Sequence, residues 1–264
     1  MIKTILITGA TDGIGLETAK MLAKLGHHII LHGRNPDKLK ASKDIVSKHA
    51  NNAKIDSVIA DLSHLDDVKS CADQIKANYE TLDILINNAG ILKTPNTITS
   101  DGFDIRIMVN AIAPYLLTQE LLPIIPKDGR IINVASAAQA PVDHDALTGN
   151  KTDLQDMNAY AQSKLAIIMW SYSMAHRIEQ TIIPVNPGSL LASKMVKEGF
   201  GIPGSDLSKG AEILTNLSLE DIATDKFGQY YDNDNRCFAD PHPDALDIDK
   251  CQKIEDSIKR ILNR

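Results

Sequence analysis

Tyr160 and Lys164 stand four residues apart in Tyr160-Ala-Gln-Ser-Lys164. On a helix that spacing puts both on one face, one turn from each other. A free tyrosine titrates near pH ~10, too high to give or take a proton readily at neutral pH. A lysine ammonium held beside it favours the phenolate and pulls that value down. Such a pair can serve as a tuned acid and base. Any helix can also hold these two residues by chance, as a packed ring beside a solvated charge. What decides is whether other elements build a site facing them.

The first such element is a strand, a glycine turn and a helix in immediate succession. Thr4–Thr8 is a β-branched apolar run typical of a buried parallel strand. Gly9-Ala-Thr11-Asp12-Gly13-Ile14-Gly15 follows, then a helical pattern of Leu16, Ala19, Met21, Leu22 and Leu25 closed by Gly26. Glycines let backbone approach a pyrophosphate, which the positive end of the helix attracts. His28–His32 reads as a second buried strand ending in Gly33-Arg34-Asn35-Pro36. An NAD site commonly places an acid here for the ribose 2′-hydroxyl. Arg34 stands there instead, and its fork of donors suits a 2′-phosphate. That favours NADP(H). Asp12 puts a negative charge in the same region, which leaves NAD(H) possible.

The later strands also end in polar residues. Ile55–Ala60 is a third strand, ended by Asp61 and Leu62. An acid there can hydrogen-bond an adenine ring, or cap the helix from near His64 to about Tyr79. Leu82–Ile86 is a fourth, followed by Asn87, Asn88, Ala89 and Gly90. Asparagine side chains can tie a strand end to its neighbour, and Ala and Gly leave room for a flat ligand. A helical stretch from about Asp101 to Leu122 sets Asn110 in an apolar neighbourhood, slightly unfavourable unless the amide is satisfied or used. Arg130–Val134 is a fifth strand followed by Ser136. Ile182–Asn186 is a sixth followed by Pro187 and Gly188, and Phe227–Tyr231 reads as a seventh. Ligands of open α/β sheets bind outside the carboxyl ends of the strands, where these residues gather.

Three segments surround this edge. Pro141–Met157 is polar and acidic and reads as a surface loop; its His144 has no partners at metal-ligand spacing. The helix from about Ala159 to Gln180 carries Tyr160 and is apolar on several sides, through Leu165, Ile168, Met169, Trp170 and Tyr172. Such a helix is deeply buried or forms a subunit contact. From Ser189 to about Gly210, Leu190, Leu191, Met195, Val196, Phe200 and Ile202 lie among glycines, as in a mobile lid with an apolar underside. The extension 232–264 closes with a helix from about Asp249 to Leu262 and is too small to be a domain.

Bulk properties narrow the class. The chain has 264 residues, 43% of them hydrophobic, enough for one sizeable core. A net charge of −6 without a long basic run argues against nucleic acid or an anionic membrane as the main partner. Three cysteines without C-x-x-C spacing suggest free thiols in a reducing, cytoplasmic setting. The N-terminal apolar run is too short for a signal sequence, and no apolar run approaches the ~18 residues of a membrane span.

Thr8-Gly9-Ala-Thr-Asp-Gly13-Ile-Gly15, Asp61-Leu62, Asn87-Asn88-Ala89-Gly90, Asn110, Ser136, Tyr160-x-x-x-Lys164 and Pro187-Gly188 occur in one order at compatible spacings. With this set the chain resembles the short-chain dehydrogenase/reductase family, over most of its length. The long gap from Ser136 to Tyr160 is similar to the retinol dehydrogenase/protochlorophyllide reductase-like branch. The resemblance implies a single-domain, doubly wound Rossmann fold with a seven-stranded parallel sheet. It implies hydride transfer between NAD(P)(H) and a carbonyl or alcohol. Tyr160 would be the acid in reduction and the base in oxidation, and Lys164 would tune it and bind the nicotinamide ribose. Ser136 would hold the substrate oxygen, and Asn110 would support a water-linked proton relay to Lys164. The family often dimerises through the helix carrying Tyr160, which makes a homodimer possible. Two departures stand out. Asn110 is followed by Ala-Ile-Ala-Pro114 where the family often has a glycine. The threonine usual after Pro187-Gly188 is missing, with Ser189 and Ser193 the nearest hydroxyls. The expectation is thus an NADP(H)-preferring reductase or dehydrogenase for a partly apolar small molecule. Two rivals are a dinucleotide sensor or scaffold without turnover and a light-driven protochlorophyllide-type reductase.

Overall fold

A computed structural model describes residues 1–223 and 226–263; the Phe200 side chain, counted above in the apolar underside, lies outside what it describes. Strand β1 (Thr4–Ile7) pairs in parallel with β2 (His28–Gly33) on one side and β4 (Ile84–Asn87) on the other. With β3 (Ile55–Ile59), β5 (Arg130–Val134), β6 (Thr181–Asn186), β7 (Tyr231–Asp232) and β8 (Cys237–Phe238), the sheet order is β3-β2-β1-β4-β5-β6-β7-β8. The order reverses between β1 and β4, which opens a crevice at their carboxyl ends.

Both faces of the sheet are covered. Ile5 and Ile7 point into one apolar cluster, shared with α1 (Gly13–Lys24), α2 (Pro36–His49) and α9 (Ser208–Leu219). Leu6, between them, points into the other. That side is built by α3 (Leu65–Asn78), α4 (Ile105–Ile107), α5 (Ala113–Leu121) and α7 (Asp156–Ala175). The three β1 residues are fully buried. Each such side chain stabilises the fold by roughly 1.5–3 kcal/mol, which is why this strand is apolar throughout rather than alternating.

Several boundaries differ from the sequence reading. Seven strands are parallel as expected, but the seventh is Tyr231–Asp232 rather than Phe227–Tyr231, and an eighth runs antiparallel to it. Gly228 explains the shift: it turns the chain at φ +81°, and a Cβ there would lie 2.7 Å from the Ala175 Cβ. The helix expected from Asp101 begins at Ile105 and is broken by a π-helical turn, Met108–Ile112, before α5. Pro114 has no N–H for the Asn110 carbonyl four residues back. The ladder widens instead, with Ala113 N–H reaching the Met108 carbonyl. The Pro141–Met157 loop contains a short helix, α6 (His144–Leu147), capped by Asp143. The helix carrying Tyr160 starts three residues earlier than expected and ends at Ala175.

The stretch Ile105–Ile124 is long and apolar enough to cross a membrane by length and composition, and most of it is buried inside the fold. The C-terminal helix α10 (Ile248–Leu262) packs on the outer side of α7 and contacts α6. Its Glu255 is fully buried and accepts from Tyr115 Oη at 3.0 Å, Ser173 Oγ at 2.6 Å and Lys259 Nζ at 3.1 Å, and pairs with Arg177. The apolar sides of α7 are therefore answered within the chain.

Candidate active site

A cleft of about 760 Å³ runs along the carboxyl edge of the sheet. Thr11, Asp12, Gly13 and Ile14 line it where α1 begins. Gly9 adopts φ +65°, and a Cβ there would lie 2.8 Å from the Ala89 Cα, so only glycine fits. Gly15 faces away from the cleft and packs on the Asn88 side chain. Asp12 is exposed and caps α1 by accepting from Gly13 N–H at 2.7 Å. Arg34, Asn35 and Lys38 are exposed at the end of β2 and the start of α2, and line the same cleft. Lys38 was not singled out from the sequence.

Asp61 and Leu62 follow β3 and also line the cleft. Asp61 does not cap α3. Its Oδ1 accepts from Ser63 N–H at 2.9 Å and Ser63 Oγ at 2.7 Å. Burial works against its charge, but the Ser63 bonds and the Arg34 guanidinium outweigh it and hold the carboxyl below its usual range.

The Asn-Asn-Ala-Gly turn ties neighbouring strands together, as its residue types suggested. Asn88 Nδ2 donates to the Thr8 carbonyl at 2.8 Å, and the amides of Asn88 and Ala89 donate to Thr8 Oγ1 at 2.9 and 3.0 Å. Asn87 Nδ2 donates to Asn133 Oδ1 at 2.8 Å. Gly90 then leaves space beside two functional side chains: a Cβ there would sit 3.4 Å from both Asn110 Oδ1 and Lys164 Nζ.

Asn110 lies on the π turn, buried behind the cleft rather than lining it. Its Oδ1 accepts from Ile91 N–H at 2.8 Å, and its Nδ2 donates to the Ile91 carbonyl at 2.9 Å and to Ser163 Oγ at 3.0 Å. The polar residue in an apolar helix is thus a satisfied amide that staples the turn after β4 to α7.

Ser136, Tyr160 and Lys164 come together at the cleft floor. Tyr160 is half-buried, with its hydroxyl beside Ser136. Lys164 is buried, its Nζ 5.7 Å from the Tyr160 ring centroid, donating to the Val134 carbonyl at 2.7 Å. Burial pushes the Lys164 ammonium down to about 8. Burial likewise raises Tyr160, and the neighbouring Ser136 offsets part of that rise. The sequence reading had Lys164 pulling Tyr160 down; in this site desolvation wins, so Tyr160 holds its proton at neutral pH.

Pro187, Gly188 and Ser189 line the far side. Ser189 donates its hydroxyl to Asp234 Oδ2 at 2.5 Å. Ser193 caps α8 (Lys194–Phe200) by accepting from Val196 N–H at 3.2 Å, and stands 3.7 Å from where a Gly13 Cβ would be. Met195 and Val196 of α8, with Leu92 and Met157, give the cleft apolar walls.

His32 also went unread. It is buried under the glycine loop, where Nδ1 accepts from Gly9 N–H at 3.2 Å and Nε2 faces the Ala60 carbonyl at 3.1 Å. A polar residue inside an apolar strand was the available signal.

The glycine loop, the cations beyond β2 and the open crevice fit a dinucleotide. A parallel sheet bearing these at its switch point defines the dinucleotide-binding class of α/β fold. Residues 3–200 match the family described as short chain dehydrogenase. The chain belongs to that family of NAD(P)-dependent oxidoreductases. It is 31% identical to retinol dehydrogenase 13 of Homo sapiens, over 96% of this chain and 82% of that protein. It is 30% identical to the chloroplastic short-chain dehydrogenase TIC 32 A of Brassica napus, over 98% and 88%. A solved metagenomic short-chain oxidoreductase in complex with NADP is similar at TM-score 0.64 and 27% identity, over 85% of this chain and 93% of that one.

Proposed function

We propose that this protein transfers a hydride between NADP(H) and a carbonyl or alcohol group of a partly apolar small molecule, with Tyr160 as general acid and base. One observation carries the reading: the Tyr160 hydroxyl meets Ser136 on the cleft floor, one helical turn from a buried Lys164. The nicotinamide, when bound, supplies or accepts the hydride. In reduction Tyr160, still protonated, donates to the substrate oxygen while Ser136 holds that oxygen by a hydrogen bond. The phenolate left behind is stabilised by the Lys164 ammonium in a low-dielectric site. Lys164 would also hold the nicotinamide ribose, and Asn110 would support the water-linked relay that returns the proton.

Arg34 and Lys38 support the preference for NADP(H), as two cations lining the cleft beyond β2 that would pair with a 2′-phosphate. Of the two candidate serines, Ser189 already directs its O–H to Asp234, so Ser193, whose oxygen only accepts from Val196 N–H, is the one with a donor free for the cofactor. Residues 189–210 act as a lid whose Met195 and Val196 face the substrate. Retinoid-like molecules, named for the human relative, belong to the substrate class these walls suit. A cytoplasmic setting is part of the same proposal and rests on the free Cys71, Cys237 and Cys251. A homodimer on the outer side of α7 is not, because α10 of the same chain covers it.

The test is a screen of carbonyls and alcohols with both cofactors, using wild type and Tyr160→Phe. Wild type is expected to turn over at least one substrate with a lower KM for NADPH than NADH. The variant should bind NADPH normally and lose turnover by at least ~10²-fold. Near-wild-type turnover by Tyr160→Phe would sink the mechanism, and cofactor binding without any turnover would favour the sensor reading.

A further inference from the structure

The segment Tyr230–His242 lies outside the residues that match the family, yet it reaches both loops that flank the proposed chemistry. Tyr230 is buried, and its hydroxyl donates to the Ser136 carbonyl at 3.2 Å. Gln139 Nε2 donates to the same carbonyl at 3.1 Å, while its Oε1 accepts from His242 N–H at 2.7 Å. On the other side, Asp234 Oδ1 accepts from Ser189 N–H at 2.8 Å, and its Oδ2 from Ser189 Oγ at 2.5 Å and Asn186 Nδ2 at 2.9 Å. Asn186 is buried at the end of β6, and its Nδ2 also donates to Asp232 Oδ1 at 2.8 Å. Asn233 Nδ2 donates to the Pro187 carbonyl at 2.8 Å. The β7–β8 turn thus holds the loop Asn186–Ser189 by both its backbone and its side chains.

We infer that the β7–β8 hairpin is a clasp that sets the cofactor-side and substrate-side loops independently, with Asp234 the positioning residue for Asn186–Ser189 and Tyr230 the positioning residue for Ser136. The physical basis is that neither loop is regular. Gly188 sits at φ +122°, and Ser136 stands in an irregular stretch where its Oγ accepts from Ala138 N–H at 3.1 Å. A loop without a ladder takes its geometry from whatever satisfies its polar groups. Here that partner is the hairpin. The Asp234 carboxylate suits the task, since one anion accepts three donors at once. Burial opposes its charge, yet the bonds from Ser189 and Asn186 prevail and hold it below the usual carboxylate range.

The inference rests on the proposed roles of Ser136 and Pro187–Ser189, and its test separates the two. Asp234→Ala, Asp234→Asn and Tyr230→Phe are compared with wild type in the full chain. NADPH affinity is measured by titration, turnover at saturating NADPH, and backbone amide exchange at residues 136–138 and 186–189. Asp234→Ala is expected to weaken NADPH about 5-fold, lose protection at Ser189, and keep kcat within about 2-fold. Asp234→Asn keeps one acceptor and falls between. Tyr230→Phe is expected to lower kcat about 5-fold, leave NADPH affinity unchanged, and lose protection only near Ser136. If both substitutions move affinity and kcat alike, or neither changes exchange in its own loop, the clasp is overturned. Exchange reports on the clasp even if no substrate is turned over, so failure of the proposed reaction would be visible separately.

Discussion

His32 spans the glycine loop and the end of β3 with both ring nitrogens engaged. Because Nδ1 accepts from Gly9, the ring is neutral with its proton on Nε2. Protonation would turn Nδ1 toward Gly9 as a second donor and break the bond that shapes the loop. Burial pushes the ring down to about 4, against ~6.5 in an unfolded chain. Between those values the unfolded chain binds a proton that the folded one does not, so stability is lost as pH falls. From pH 7 to 5 wild type should lose about 2 kcal/mol more than His32→Gln, which can accept from Gly9 without titrating. Urea unfolding at both values checks this; equal losses would remove His32 from the account. At this scale much was legible: Ser136, Tyr160, Lys164 and Arg34 stand where their spacing put them. Two readings were not. Desolvation of Tyr160 depends on what surrounds it, and the capture of the Ser189 hydroxyl depends on a residue 45 positions away.

The broken helix α4–π–α5 shows what a segment can and cannot announce. Pro114, four residues after Asn110, is visible in the sequence and is the physical reason for the π turn. Arg106, one turn before Asn110, gave no such hint. It is fully buried, takes Asp104 in a fork at 2.8 and 2.5 Å, and pairs with Asp156 at the first residue of α7. Its partners thus hold together the elements that carry Asn110 and Tyr160. Arg106→Ala leaves Asp104 buried without its counter-charge and should cost roughly 3–5 kcal/mol. Replacing both, as Arg106→Met with Asp104→Leu, should cost clearly less, because no charge is then stranded. Denaturant midpoints of the two variants decide; if the double variant is the less stable, the ion pair adds more than it costs to bury. The same contact explains why α7 begins at Asp156: its first turn is anchored from another element, which no local pattern reports.

The first six strands followed from the sequence, because all but β3 are nearly continuous buried runs. The β7–β8 edge did not, since strands of two residues have no period to read. Nor did the docking of α10, whose strongly one-sided apolar face could have met any bare surface. That docking is held by Glu255 under α7. Glu255→Ala leaves Arg177 and Lys259 to solvent but strands the buried hydroxyls of Tyr115 and Ser173, at roughly 1–3 kcal/mol each, lowering the melting temperature by roughly 4–24 °C at this size. Scanning calorimetry checks it; a shift under ~3 °C would mean α10 is held by its apolar contacts alone. The placement also has a consequence in time. The 72 residues between Ala175 and Ile248 separate the end of α7 from the start of its cover. At roughly 5–20 residues per second, synthesis takes roughly 4–14 s to cross that interval. During it, the outer side of the helix carrying Tyr160 is bare on the ribosome, a surface for chaperones to hold until the tail arrives.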